Sequence, residues 1–251
     1  MTELFDTHAH FEGTAAETAA VLARAAAAGV TRLMAVGGSP ELNAGVERCV
    51  AAAAAPGMPR VWRCLGWDRD QAGCQLALVE AEGMAAVGEI GLDYHYASET
   101  RRKQLELFAR QLEFARRRGL PVVVHTREAD DDTLGLLREI PSRGVIHCFT
   151  GSPAFCRALL DLGFSISISG IVTFRSAEEV RASARLVPDN RLLVETDSPF
   201  LAPAPFRGRV NEPAFVVKTA KFLAALRETA FERLAALTTA NAIALFGGGA
   251  E

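Results

Sequence analysis

Two histidines and an aspartate recur at alternate positions near the start of this sequence. Asp6, His8 and His10 are separated by single residues, and side chains two positions apart on a β-strand share one face. Imidazole nitrogen and carboxylate oxygen are ligand types that suit Zn²⁺, Mn²⁺, Ni²⁺ and Fe²⁺ in proteins. Two histidines satisfied by core hydrogen bonds are the alternative, but the in-register Asp6 favours a metal site. Further ligands must come from elsewhere in the chain.

Four more candidate ligands accompany apolar stretches that lie much later in the sequence. These stretches are short, rich in apolar residues and bounded by polar or glycine-containing segments, which is typical of buried strands. Imidazole and carboxylate groups at the ends of several strands can be assembled into one metal site. The four candidates are Glu89, His125, His147 and Asp197.

Eight such strands alternate with helices along the chain. Because every connection is long enough for a crossover helix, the strands are predicted to form a parallel sheet. Eight units favour an α/β fold, a closed (β/α)8 TIM barrel that forms a single domain over residues 1–251. The strands are predicted at residues 4–11, 30–37, 60–66, 84–91, 120–126, 144–149, 164–169 and 191–196. The helices are predicted at residues 14–28, 39–55, 71–82, 98–118, 130–140, 152–162, 176–186, 212–226 and 230–246, before a flexible tail at about 247–251.

The strand ends of a TIM barrel are where its catalytic groups lie, because all the carboxyl ends meet at one rim. The candidate ligands occupy such ends, so residues far apart in sequence can meet around one point. Four of the five histidines are placed in this way. The fifth, His95, falls in the loop after the fourth strand and is predicted to face solvent.

Composition restricts the partners and the compartment. The formal net charge of −3 gives no global attraction to nucleic acid or to anionic membranes, so an anionic substrate must be held by local cations or metal. Five scattered cysteines without a C-x-x-C pair favour reduced thiols. The sequence shows neither a secretion signal nor an apolar run of membrane-spanning length. We therefore expect a cytoplasmic protein with no membrane association and no obligate protein partner.

Six short motifs, which contain the candidate ligands, together resemble the TatD family of metal-dependent DNases within the amidohydrolase-like barrels. The similarity runs from about Leu4 to Phe246, and the six motifs occur in the same order as in the family. The motifs are Asp6-Thr7-His8-Ala9-His10, Gly88-Glu89-Ile90-Gly91-Leu92-Asp93, Val124-His125-Thr126-Arg127-Glu128, His147-Cys148-Phe149-Thr150-Gly151, Glu195-Thr196-Asp197-Ser198-Pro199 and Arg207-Gly208-Arg209-Val210-Asn211-Glu212-Pro213.

The resemblance implies a centre of two divalent metal ions. One ion is expected to be bound by His8 and His10, and the other by His125 and His147. Histidine and carboxylate ligands accept several metals, so Mg²⁺, Mn²⁺ and Zn²⁺ all remain open. A pair of such ions can activate a water and clamp the attacking and leaving oxygens of a phosphodiester.

Two carboxylates are the candidate catalytic residues on the same resemblance. Glu89 is expected to bridge the ions, and Asp197 to bind an ion and handle the proton of the attacking water. Many related barrels use a carboxylated lysine as the bridge, but the lysines here, Lys103, Lys218 and Lys221, all lie on predicted helices. A carboxylate bridge favours a phosphodiesterase over a lactonase or an amidase.

Two acidic residues are expected to support the ligands from behind. Asp6 is predicted to orient the histidines, because metal-bound imidazoles usually donate their second N–H group to a partner. Glu195 shares a strand face with Asp197, and a buried salt bridge is the alternative for it. The family often has His-Pro after the third strand, where this chain has Trp67-Asp68. Trp67 is therefore predicted either to stack on a base or to cover the rim.

Three arginines are candidate substrate-binding residues. Arg127 follows His125, and Arg207 and Arg209 lie on the loop after the eighth strand. A guanidinium group matches the geometry of a phosphate, and the catalytic rim is where it would meet one. Ordinary surface charge is the alternative for the two loop arginines, and Arg127 could instead pair with a neighbouring carboxylate.

The leading hypothesis is a metal-dependent phosphodiesterase, a 3′–5′ exonuclease that acts on single-stranded DNA, with RNA as a further nucleic acid substrate. A second hypothesis is hydrolysis of an ester or amide, such as the aminoacyl ester of a tRNA, by the same centre. A third is a non-catalytic binding protein on a degenerate barrel, which the complete set of ligands opposes.

Overall fold

Eight parallel strands form one sheet in the order of the sequence. The structure is a computed structural model and describes residues 2–74 and 77–247. Together with the alternating helices, these strands confirm the predicted (β/α)8 barrel. The strands are β1 (Leu4–Ala9), β2 (Val30–Gly38), β3 (Arg60–Trp67), β4 (Met84–Asp93), β5 (Val122–Arg127), β6 (Gly144–Ile146), β7 (Ser165–Ile168) and β8 (Leu192–Val194).

The helices form the outer layer of the barrel. In the described residues they are α1 (Ala15–Ala27), α2 (Pro40–Ala53), α3 (Tyr94–Ala97), α4 (Arg101–Arg118), α5 (Asp130–Glu139), α6 (Pro153–Asp161), α7 (Glu178–Leu186), α8 (Val216–Leu226) and α9 (Phe231–Phe246). Four of them, α1, α2, α3 and α6, begin after a residue whose side chain caps them, as Ser39 does by accepting a hydrogen bond from Leu42 N. None of these helices combines the length and the apolar character that crossing a membrane requires.

The helix predicted at residues 71–82 is wrong wherever the structure describes it. A short 3-10 turn covers Arg69–Gln71, and residues 77–82 follow without helical structure. The carbonyl of Ala77 accepts a hydrogen bond from the indole nitrogen of Trp67, and Leu78 and Val79 pack against the core. These tertiary contacts outweigh the helical propensity of the segment. Residues 75 and 76, and the tail predicted at 247–251 beyond residue 247, lie outside the described residues.

Two buried clusters divide the core of the barrel. The larger lies between the strands and the helices, and includes Leu33 and Ala35 of β2. The smaller takes the alternate residues of the same strand, Met34 and Val36, with apolar side chains from six other strands. Since neighbouring strand residues face opposite sides of a sheet, this smaller cluster fills the barrel interior. Phe246 of α9 joins it.

The barrel closes where β1 meets the segment that follows β8. The nitrogen of Asp197 donates to His8 O at 2.9 Å, and the nitrogen of His10 donates to Ser198 O at 2.8 Å. The hydroxyl of Thr7 also donates to Val194 O across this seam. Backbone groups of the candidate ligands His8, His10 and Asp197 therefore make the hydrogen bonds that close the barrel.

Candidate metal centre

The six expected ligands meet at one rim of the barrel. They lie on five strands or within three residues of a strand's end, and all but one are at least nine-tenths buried. His8 lies within β1 and His10 directly follows it, while Glu89 lies within β4 and His125 within β5. His147 directly follows β6, which is shorter than predicted. Asp197 lies beyond the end of β8, as predicted.

One group of donor atoms, the His8 set, consists of His8 Nε2, His10 Nε2, Glu89 Oε2 and Asp197 Oδ1. The two imidazole nitrogens lie 3.1 Å apart and 3.4 and 3.5 Å from the Glu89 oxygen. The Asp197 oxygen lies 3.8 Å from His8 and 3.7 Å from His10. Around a tetrahedral ion with bonds of about 2.1 Å, neighbouring donors are about 3.4 Å apart. The His8 set therefore has the dimensions of a metal site.

A second group, the His125 set, lies on the other oxygen of the same glutamate. Glu89 Oε1 is 3.3 Å from His125 Nδ1 and 3.5 Å from His147 Nε2, and these two nitrogens are 3.2 Å apart. Each oxygen of Glu89 thus faces its own pair of imidazoles. This is the arrangement in which one carboxylate can bridge two cations.

The distal ring nitrogens determine how three of the four imidazoles present themselves. His10 Nδ1 lies 2.9 Å from Val36 O, His147 Nδ1 lies 3.3 Å from Glu195 Oε1, and His125 Nε2 lies 3.3 Å from Asp93 Oδ2. Because these partners accept hydrogen bonds, the distal nitrogens donate and the inward nitrogens present lone pairs. Inward lone pairs this close together repel unless a cation lies between them.

Burial and neighbouring charges shift the pKa values of the candidate ligands. Burial lowers the pKa of His8 to about 3, which keeps the imidazole in the neutral form that binds metal. Although burial opposes it, the carboxylates of Glu89 and Glu195 raise the pKa of His147 well above its usual value. Burial raises the pKa of Asp197 to about 6. The donor types, spacing and field together fit divalent ions at both sets.

Asp6 and Glu195 support the centre through different contacts. Asp6 accepts hydrogen bonds from the nitrogen and hydroxyl of Thr196 at 2.8 and 2.6 Å and, at 3.4 Å, from the backbone nitrogen of His8. Asp6 thus acts on the backbone, whereas the sequence predicted a role in orienting the histidine rings. Glu195 does contact a ring, that of His147, and also accepts a hydrogen bond from Cys148 N at 2.7 Å.

The predicted substrate arginines contact aromatic side chains. Arg127 stacks over Tyr96, with 4.6 Å between the guanidinium carbon and the ring centre, and does not pair with Glu128, which binds His95 instead. On the loop after β8, Arg207 stacks on Phe174. Arg209 is exposed and stacks on Phe206. Trp67, the other predicted substrate contact, donates a hydrogen bond from its indole nitrogen to Ala77 O.

A cavity of about 640 Å³ opens above the ligands and reveals residues that the sequence analysis missed. Arg69 lines it and donates to Glu89 Oε1 at 2.8 Å. Phe200 lines it with 53% of its surface exposed, and its ring centre is 6.3 Å from that of His10. Asp93, which supports His125, lies four residues after Glu89. Residues at even spacing share a strand face, so this spacing could have identified it.

Comparison with known proteins places the chain among metal-dependent hydrolases. The family model described as TatD related DNase matches residues 5–247. Over 172 residues the chain is 52% identical to the uncharacterized metal-dependent hydrolase YcfH of Escherichia coli strain K12, a match that covers 67% of this chain and 65% of YcfH. The match thus spans a little less than two thirds of the length of that relative.

Two further comparisons bear on activity and fold. The chain is 38% identical over 189 residues to a protein of Erwinia amylovora named 3′-5′ ssDNA/RNA exonuclease TatD, which covers 72% of this chain and 73% of that protein. The crystal structure of YJJV, a TatD homologue from Escherichia coli K12, superposes with a TM-score of 0.84 at 28% identity and covers 98% of both chains.

Proposed function

This chain belongs to the TatD-related DNase family of metal-dependent hydrolases, and on that premise we propose that it is a 3′–5′ exonuclease on single-stranded nucleic acid. The observation that carries the proposal is the position of Glu89, whose two oxygens face two separate pairs of imidazoles. Such a centre suits a phosphodiester, because attacking and leaving oxygens both need stabilisation. The name of the Erwinia amylovora relative supports DNA and RNA as substrates.

The two donor sets would each hold a divalent ion, with Glu89 between them. Bound ions would supply Lewis-acid stabilisation of the phosphate and a lowered pKa for water. They would also offset the excess of negative charge in the cavity lining. Among its lining residues, the carboxylates outnumber the guanidinium groups; the charged residues are Glu12, Glu41, Arg48, Asp68, Arg69, Asp70, Glu89 and Asp197.

Asp197 is proposed to accept the proton of the attacking water. Its carboxylate lies at the cavity, 8% exposed, where it can contact both a water and the metal ligands. As the water oxygen bonds to phosphorus, the bond from phosphorus to the 3′ oxygen of the shortened strand breaks. That oxygen takes up a proton from solvent, and the mononucleotide departs with the phosphate. Glu195, Asp93 and Val36 keep the imidazoles oriented throughout, since they bind the distal nitrogens.

An aromatic residue at the cavity supports a nucleic acid substrate. Phe200 is more than half exposed beside His10, and exposed aromatic side chains stack with unpaired bases. We propose that Phe200 receives the terminal base. Arg127 at the end of β5, and Arg207 and Arg209 in the loop after β8, are proposed to contact phosphates farther along the nucleic acid strand. The stacking role predicted for Trp67 stays a prediction.

End-labelled strands test the proposal directly. With Mn²⁺ or Mg²⁺, a 3′-labelled single strand should release labelled mononucleotide first, and a 5′-labelled strand should give a ladder. Glu89→Ala and Asp197→Asn should lower the rate more than about 100-fold, since even residues that only support metal ligands contribute 10- to 100-fold. Glu139→Gln, an exposed change at the end of α5, should match the wild type.

Two outcomes would overturn the assignment. One is equal activity of the Glu89 and Asp197 variants and the wild type. The other is turnover of an aminoacyl-tRNA ester, assayed side by side, with no release of nucleotides from the strand. Cleavage of circular single-stranded DNA would contradict the exonuclease mode, because a circle offers no 3′ end.

A further inference from the structure

Arg69 lies directly over one half of the centre. It begins the short turn after β3, its side chain is 22% exposed, and one of its terminal nitrogens is 2.8 Å from Glu89 Oε1. That oxygen belongs to the His125 set, since it also faces His125 Nδ1 and His147 Nε2. The guanidinium group therefore contacts a donor atom that a metal ion in this set would use.

The two oxygens of Glu89 are consequently unequal. Oε2 lies 3.4 and 3.5 Å from the two imidazoles of the His8 set. Oε1 faces the imidazoles of the His125 set and also accepts a charged hydrogen bond from Arg69. Such bonds are among the stronger ones in proteins. A cation that enters the His125 set has to weaken this bond and to tolerate a nearby positive charge, while a cation in the His8 set does neither.

Hydrogen bonds hold the backbone of the turn that carries Arg69, so the guanidinium group can leave Glu89 while the backbone stays in place. Asp68 fixes the turn, because its nitrogen donates to Gly38 O at 2.8 Å and its carboxylate accepts from Asp70 N at 2.9 Å. A second carboxylate is already near, since Arg69 Nε lies 3.7 Å from Asp70 Oδ2. The guanidinium group can thus leave Glu89 and keep an acidic partner at the cavity.

We propose that Arg69 makes the two metal positions unequal: it competes for Glu89 Oε1, so the His8 set fills first and the His125 set binds more weakly. On release from Glu89, the guanidinium group is available to a phosphate oxygen of the substrate. The inference rests on the proposed metal centre, but it does not depend on which phosphodiester or ester the centre hydrolyses.

Metal titration separates this role from a general effect of charge. Full-length protein freed of metal by chelation is titrated with Mn²⁺, with calorimetry for the affinities and electron paramagnetic resonance for the coupled ion pair. The variants are Arg69→Gln, Arg69→Lys and the matched control Arg48→Gln. Arg48 lines the same cavity, but its guanidinium donates to the carbonyls of Phe11 and Gly13 and not to a metal ligand.

Arg69→Gln should strengthen the second Mn²⁺ step about 10- to 100-fold, the range that a hydrogen bond to a charged group supports, and leave the first step unchanged. Arg69→Lys should retain most of the inequality, and the coupled-pair signal should form at lower Mn²⁺ in Arg69→Gln. Two equal steps in the wild type, or the same shift in Arg69→Gln and Arg48→Gln, would overturn the proposal.

The readout is independent of catalysis. Circular dichroism establishes whether each variant is folded. If Arg69→Gln does not fold, the titrations of Arg69→Lys and the wild type still test the proposal. If the wild type binds metal in two unequal steps but releases no nucleotides, the proposed function is contradicted and the role of Arg69 is not.

Discussion

Glu195 Oε1 lies 3.3 Å from Nδ1 of His147 and 2.7 Å from the backbone nitrogen of Cys148. One fully buried oxygen therefore holds both the imidazole ring and the segment that carries it. The ring is stacked on His8 at 3.9 Å between centres, so its orientation also affects the neighbouring donor set. We therefore propose that Glu195 positions the donor atoms of both sets.

Replacement of Glu195 by glutamine should weaken metal binding about 10- to 100-fold, the usual effect of removing a carboxylate behind a histidine ligand. The amide oxygen can still accept from Cys148 N, so the fold should persist while the charge behind His147 is lost. Calorimetric titration with Mn²⁺ measures the affinity. Glu139→Gln removes a carboxylate from an exposed site and should bind metal as the wild type does. Unchanged binding in Glu195→Gln would contradict the positioning role.

Replacement of Phe200 by alanine should raise KM for single-stranded DNA about 5- to 100-fold, because stacking of one base contributes about 1 to 3 kcal/mol. Metal affinity should not change, since the ring does not reach a donor atom. Steady-state kinetics on a short labelled strand measure the effect. Phe200→Trp keeps an aromatic face and should stay close to the wild type.

An abasic 3′-terminal nucleotide provides the control for Phe200. Without a base to stack on, the wild type and Phe200→Ala should have the same KM. Val210→Ala changes another exposed apolar residue on the loop after β8 and should leave KM unaffected. An equal loss for Phe200→Ala on normal and abasic strands would argue against base stacking.

Replacement of Gly45 by alanine should destabilise the protein by about 1 to 3 kcal/mol, as overpacking of a tight contact does. A Cβ atom at this position of α2 would lie 1.9 Å from Phe11 O. The contact is with backbone next to His10, so Mn²⁺ affinity should fall as well. Urea unfolding measures the stability, and calorimetry measures the metal affinity.

Gly135 of α5 is the matched control for Gly45. A Cβ atom there would meet no other atom within 4 Å, and alanine in a helix is favoured over glycine by about 1 kcal/mol. Gly135→Ala should therefore be slightly more stable than the wild type and bind metal equally. A Gly45→Ala protein as stable as Gly135→Ala would show that α2 can move away from β1.

Strand periodicity and residue type were sufficient to predict the barrel, because a buried strand depends on apolar residues that are local in sequence. The positions of His8, Glu89 and His125 near strand ends were likewise sufficient to predict that these residues meet at one rim. The segment after Trp67 was not predictable in this way. Its conformation depends on the bond from Trp67 to Ala77 and on packing against the core, and neither is visible in a local pattern.

Contacts between side chains that are far apart in sequence could not be predicted from the sequence either. Arg69 carries no signal that distinguishes it from a surface arginine, and only the barrel brings it to Glu89, 20 residues away. The seam also made the role of Asp6 unpredictable, because its partner Thr196 is 190 residues away. Conversely, the position of Arg127 after His125 predicted a contact with substrate, but in the structure its guanidinium group stacks on Tyr96.

The seam between β1 and the segment after β8 also matters for biosynthesis. One edge of β1 leaves the ribosome 190 residues before Thr196, the partner of Asp6, can follow it. Until then that edge is unpaired, and unpaired edges recruit other chains. A product that terminates before Thr196 should therefore aggregate and fail to coordinate metal. Loss of the carboxyl-terminal quarter of this protein would leave that edge of β1 unpaired and at the same time remove Asp197 from the His8 set.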